Sequence, residues 1–163
     1  MVGPAGDSGS ALIASAFATY SEGAHFCEIP AGGSRFHPGR TREPFLPLAR
    51  FRMDGKAVFR LVGEKLPAFV QGLLEAAGLG IEEMAAVVPH QASRHGLDYV
   101  RRRLGIPRER LVDIFADRGN QVGASLPSAL DAAIRGGRLR RGQHALLLGS
   151  GAGVSLGGAV LCY

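Results

Sequence analysis

Apolar positions recur every three or four residues along 56–77. Val58, Leu61, Val62, Leu66, Phe69, Val70, Leu73 and Leu74 fall on one face of a helix. Pro67 stands inside that run and removes one backbone N–H, which predicts a kink or break there. Gly78 is placed to cap the helix end. The run 85–89 is short, apolar and without alternation, as in a strand covered on both faces. A second helix is predicted over 93–104, with Ser93 as N-cap, Leu97, Val100 and Leu104 inward, and Gly105-Ile-Pro107 as its stop. Residues 111–115 read as another strand and 116–120 as a polar turn. Residues 124–134 read as a small-residue helix closed by Gly136-Gly137. Strands over 145–148 and 154–162 flank a tight glycine turn at 149–153. Upstream, 10–15 and 17–20 have the character of short strands. The stretch 30–47 is rich in Gly, Pro and Arg and reads as a long loop. Strands alternating with helices give an α/β layer architecture.

Composition narrows the picture. At 163 residues, 46% hydrophobic and 20% charged, the chain suits one compact domain or one half of a larger pseudo-symmetric enzyme. The apolar fraction argues against wholesale disorder. No apolar run is long enough to span a bilayer, and the start lacks the basic and apolar regions of a signal peptide, so a cytoplasmic protein is expected. Cys27 and Cys162 form neither a metal-binding spacing nor a disulfide framework. The net charge of +5 is uneven, with Arg94, Arg101, Arg102, Arg103, Arg108 and Arg110 within seventeen residues. A solvated helix face is the commonest meaning of such a run, and an acidic partner is a second. Nucleic acid rests on the arginines alone and ranks last.

Three loops follow the expected strands at their carboxyl ends: 89–92 with His90, 118–120 with Asn120, and the glycine turn 149–153. That edge of an open α/β sheet is where ligands bind. Each signal alone is weak. A lone histidine is more often structural, and Gly-Asn is an ordinary turn dipeptide. The glycine turn precedes a strand rather than a helix, so dinucleotide and P-loop readings fail. Together, a neutral imidazole N–H and a carboxamide N–H suit the stabilisation of an enolate oxygen. A Cys/His hydrolase built on Cys27 with His90 or His25 is disfavoured. No helix follows Cys27 to activate its thiolate, and Glu28 beside it opposes ionisation.

Several longer motifs carry a resemblance. Val88-Pro-His-Gln-Ala92, Asp117-Arg-Gly-Asn120, Ala124-Ser-Leu-Pro-Ser-Ala-Leu130, Gly136-Gly-Arg-Leu-Arg-Arg-Gly142 and Gly149-Ser-Gly-Ala-Gly153 resemble the ketoacyl-ACP synthase III family in order and spacing. The similarity extends upstream through 51–59 and reaches Gly6-Asp7-Ser-Gly-Ser10. The resemblance implies a thiolase-like fold of two similar α/β halves. Residues 1–25 would then be the end of the first half and 26–163 the carboxy-terminal domain. It implies a decarboxylating Claisen condensation of an acyl thioester with malonyl-ACP, in fatty-acid or polyketide-like biosynthesis, with CoA or ACP thioesters as substrates and no other cofactor or metal. His90 and Asn120 match the two donors to the malonyl thioester oxygen, and the backbone N–H of Ala152 matches an oxyanion-hole contribution. Ser93 and Gly151 match pantetheine or substrate contacts. Arg94, His95, Arg101, Arg102 and Arg103 fall on the helix that meets the acyl carrier protein.

Departures are also visible. Ser93 stands where asparagine is common, and His95 where arginine is. The segment between Ala11 and Ala18 is short by about a hairpin. The family's cysteine nucleophile lies upstream of the Gly6-Asp7 motif, and neither Cys27 nor Cys162 matches it. The expected partners are therefore acyl carrier protein, acyl-CoA, and an amino-terminal half or homologous subunit bearing the cysteine, with no nucleic acid. The alternative is a non-catalytic subunit that binds the carrier or pairs with such a homologue.

Overall fold

The computed structural model describes residues 9–42 and 44–163. The Gly6-Asp7-Ser8 part of the upstream motif lies outside them. Four strands form the main sheet in the order β1-β6-β5-β4: β1 Ala11–Thr19, β4 Met84–Pro89, β5 His144–Gly151 and β6 Ser155–Cys162. β4 and β5 run parallel; β6 is antiparallel to both β5 and β1. β1 precedes residue 25 and pairs along its length with β6, so the start and end of the described chain share one sheet. A second, two-stranded ribbon joins β2 Cys27–Glu28 to β3 Arg52–Met53 at either end of the long loop, which also holds the short helix α1 Phe45–Leu48.

Alternation along β4 divides the interior in two. Val87 faces α2 Gly55–Ala77 and α3 Arg94–Arg103, meeting Leu66, Val70, Leu73 and Leu97 in one buried cluster. Ala86 and Val88 point the other way, onto Ala129 and Ala133 of α5 Ser125–Arg135. The result is three layers, helix on sheet on helix. Each large aliphatic side chain so buried contributes about 1.5–3 kcal/mol. On the α5 side the contacts are alanines, which lets that helix lie close to the sheet. On the α2 side close approach comes at Gly158, where an added Cβ would stand 2.7 Å from Leu73 and 3.0 Å from Phe69.

Helix α2 matches the periodicity reading at both ends. Asp54 caps its start by accepting from the Ala57 N–H at 2.9 Å, and Gly78 closes it in the left-handed conformation at φ 66°. The expected break at Pro67 does not occur: the helix runs uninterrupted through it. Pro67 deprives the Gly63 carbonyl, four residues earlier, of its amide donor. The Tyr99 hydroxyl of α3 donates to that carbonyl instead, at 3.2 Å. A tertiary contact thus replaces the missing helical bond.

A second expectation is corrected at 111–120. No strand forms over 111–115. Leu111 makes one isolated parallel bridge to Val87, and a short helix, α4 Phe115–Arg118, follows at once. Two side chains explain the change. The fully buried Gln91 takes up backbone groups that a ladder would have used, donating to the Val112 carbonyl at 3.1 Å and accepting from the Ile114 N–H at 2.9 Å. Asp113 then accepts from the Phe115 N–H at 3.0 Å and turns the chain into the helix. The glycine turn is also shorter than expected, because β5 continues to Gly151 opposite Ser155. No helix among the described residues is long and apolar enough to cross a membrane.

Candidate functional site

The parallel register places Pro89 beside Leu148, so the chain leaves β4 at His90 where β5 passes into Gly149. The His90 N–H donates to the Leu148 carbonyl at 2.7 Å and carries the ladder one residue past the strand. Gln91 then anchors the turn. Its carboxamide also donates to the Pro89 carbonyl at 2.8 Å, making three bonds in all with its partners at 112 and 114. His90 therefore stands on backbone that a buried side chain holds from behind. Its imidazole is half-buried, and that desolvation lowers its pKa below the usual histidine value. At neutral pH the ring is neutral, with one N–H to donate.

Asn120 arrives at the same edge from the other loop. Gly119, at φ 62°, ends α4 and turns the chain toward the His90 loop. The Asn120 carboxamide is exposed and sits 3.5 Å from the Ala92 carbonyl, a long contact, while its oxygen accepts from the Val122 N–H at 2.9 Å. Its side chain thus reaches within two residues of His90. Gly151 ends β5 opposite Ser155 and Ala152 follows it on the tip before β6, three and four residues beyond Leu148 and both exposed. Among these residues His90 is half-buried, while Asn120, Gly151 and Ala152 are exposed.

Ser93 is the N-cap of α3, its hydroxyl oxygen accepting from the Gly96 N–H at 3.0 Å. The basic run on α3 does not form one face. Arg101 and Arg102 both pair with Asp98 on their own helix. His95, Tyr99 and Arg102 turn toward α2, where Lys56, Phe59, Arg60, Gly63 and Glu64 complete a groove of about 830 Å³. Lys56 and Arg60 were not among the basic residues singled out from the sequence. Their signal was present, since they stand four apart on the exposed side of a helix whose apolar face was plain. Cys27 and Cys162 are half-buried free thiols, and Cys27 lies in the ribbon opposite Met53.

Comparison with known proteins agrees with this architecture. The family model for the carboxy-terminal part of 3-oxoacyl-[acyl-carrier-protein] synthase III matches residues 74–163, more than half of the chain. The chain belongs to the ketoacyl-ACP synthase III family. It is similar to the beta-ketoacyl-[acyl-carrier-protein] synthase III of Coxiella burnetii, 41% identical over 109 residues that cover 67% of this chain and 34% of that one. The crystal structure of the 3-oxoacyl-(acyl carrier protein) synthase III of Pseudomonas aeruginosa PAO1 superposes with a TM-score of 0.80 at 33% identity, covering 98% of this chain and 47% of that one. The Thermus thermophilus synthase III gives 0.82 at 32% identity, covering 95% and 47%. The chain therefore spans about a third to a half of the length of the relatives it matches, and it has their thiolase-like fold.

Proposed function

We propose that this chain supplies the enolate-stabilising half of a decarboxylating condensing enzyme, a 3-oxoacyl-ACP synthase III-type acyltransferase. A cysteine thiolate on an amino-terminal half or homologous subunit attacks the carbonyl of an acyl-CoA and releases CoA. Malonyl-ACP then loses carbon dioxide, and the electron pair left on its α-carbon is held as the enolate of the thioester. His90 and Asn120 donate hydrogen bonds to that enolate oxygen. The α-carbon attacks the acyl-cysteine and expels the thiolate, giving 3-oxoacyl-ACP. The backbone N–H of Ala152 contributes to the oxyanion hole for the tetrahedral intermediate, with Ser93 and Gly151 along the pantetheine arm. The thioesters carry the reaction without a further cofactor.

The observation behind this reading is a half-buried, neutral His90 at the sheet edge that Asn120 also reaches. A protonated imidazole would draw an anion, but the neutral ring can donate without first attracting the malonyl carboxylate that must leave. The groove between α2 and α3, with Lys56, Arg60, His95 and Arg102 on its banks, suits docking of an acidic carrier protein. The same groove favours the second reading, a non-catalytic subunit that binds the carrier.

The test is carbon dioxide release from malonyl-ACP by the chain with and without a cysteine-bearing amino-terminal half. Release that needs both pieces and fails with His90→Ala supports the condensing enzyme. Carrier binding with no release, indifferent to His90→Ala, favours the second reading.

A further inference from the structure

The floor of the groove between α2 and α3 is built around a backbone defect. Pro67 leaves the Gly63 carbonyl without an amide donor, and the Tyr99 hydroxyl fills the vacancy at 3.2 Å. Among the described residues this is the one hydrogen bond that joins α2 to α3. Gly63 makes it possible, because a Cβ at that position would lie 2.5 Å from the hydroxyl. Phe59, one turn before Gly63, meets the Tyr99 ring edge-on with centroids 4.7 Å apart. Cationic side chains flank this contact, Arg60 three residues before Gly63 and Arg102, which pairs with Asp98, three after Tyr99; His95 lies four before Tyr99, and the acidic Glu64 follows Gly63. Whatever fixes Tyr99 on Gly63 therefore fixes the distance between the two banks.

We propose that Tyr99 is a positioning residue for carrier docking, holding α3 against α2 through the carbonyl that Pro67 exposes, so that the two basic banks stand at the spacing a carrier requires. The inference rests on the carrier-docking reading above. It concerns a bond that each of three residues makes necessary or possible. Pro67 removes the internal donor, Gly63 removes the side chain in the way, and Tyr99 brings the replacement donor from the other helix. Gly63 is buried, so its carbonyl calls for a partner from within the protein. That partner comes from the residue in the middle of the opposite bank.

The experiment is a thermodynamic cycle on the full chain: wild type, Tyr99→Phe, Pro67→Ala and the double variant. Each is titrated with phosphopantetheinylated acyl carrier protein by fluorescence anisotropy, at a temperature where circular dichroism shows all four folded. Tyr99→Phe keeps the ring and removes only the hydroxyl, so it is expected to weaken binding about five-fold. In Pro67→Ala the restored amide takes the Gly63 carbonyl, and the same substitution should then cost less than about two-fold. A purely structural role would lower the unfolding midpoint and leave the affinity of the folded protein unchanged. Wild-type binding with Tyr99→Phe equally tight, or equal losses in both backgrounds, would overturn the positioning role alone. No binding by the wild-type chain would overturn the docking reading and this inference with it.

Discussion

The sheet edge and the interhelical groove are built on opposite principles. At the edge, His90 and Asn120 are displayed by loops whose own backbone is held from inside, chiefly by the three hydrogen bonds of the fully buried Gln91. In the groove, the charged residues stand on regular helix surfaces, and one tertiary hydrogen bond from Tyr99 sets how those surfaces meet. The first arrangement fixes the direction of individual donors, as transition-state stabilisation requires, because a donor misaimed by an ångström loses most of its effect. The second fixes only the shape and charge of a surface, which is enough for steering a partner. Substitutions at the edge should therefore act on turnover and those in the groove on encounter.

The largest effect tests that division directly. His90→Ala and Asn120→Ala are each expected to lower decarboxylation, in the presence of a cysteine-bearing half, by on the order of a hundred- to a thousand-fold. Carrier affinity should stay within about two-fold of wild type, because neither residue lines the groove. An affinity loss as large as the rate loss, measured by titration beside single-turnover kinetics, would erase the distinction between edge and groove.

Gln91 sharpens the comparison by asking how much of the edge is scaffold. Gln91→Ala leaves the Val112 and Pro89 carbonyls and the Ile114 N–H to find other partners, and should destabilise the fold by about 3 kcal/mol in urea unfolding. Turnover of the folded fraction should fall as well, since the His90 turn is released. A stable Gln91→Ala protein with full turnover would mean that the strand, not the buried carboxamide, aims the imidazole.

These features differ in how far the sequence discloses them. The apolar stripe of α2, its Gly78 cap, the Ser93 cap and the strand over 85–89 follow from period and local chemistry, so reading residue by residue finds them. The segment 111–118 does not. Its strand-like composition is overridden by Gln91, twenty or more residues away in the chain and unremarkable until its burial is seen. Pro67 is a similar case: it leaves the Gly63 carbonyl without its helical donor, and the hydroxyl that takes that carbonyl comes from Tyr99 on another element. For the candidate site, the expected strand ends placed His90 and Asn120 at one edge, although the strand expected before Asn120 is replaced by an isolated bridge and a short helix. Counting arginines along the chain cannot show that Asp98 pairs with Arg101 and Arg102, or that two of the three lysine and arginine side chains lining the groove, Lys56 and Arg60, come from α2.

The groove gives the next effect in size. Lys56→Glu with Arg60→Glu reverses one bank without touching the apolar face of α2, and should weaken carrier binding about ten-fold at low salt, the deficit shrinking as ionic strength rises. The maximal rate at saturating carrier should be unchanged. Rim charges act mainly on association, so stopped-flow measurements should find the loss in the on-rate. A salt-independent loss, or one confined to dissociation, would show that these side chains make short-range contacts rather than a steering field.

The smallest effect is in pH. Burial lowers the His90 pKa in the folded protein, so between the folded value and the unfolded value of about 6.5 the unfolded chain binds more protons than the folded one. Stability from this source is fully present above about pH 6.5 and is lost as pH falls through the folded pKa. If the neutral ring is the donor proposed above, the acid limb of decarboxylation should have its midpoint below about pH 6.5. Removing the ring in His90→Phe should flatten the acid limb of the stability curve that His90 contributes, while leaving the rest of the curve in place. The two measurements bear on the same proton. An activity profile whose acid midpoint lay above about pH 6.5, with stability unchanged through that midpoint, would place the titrating group elsewhere and remove the support that a neutral His90 lends to the proposed donor role.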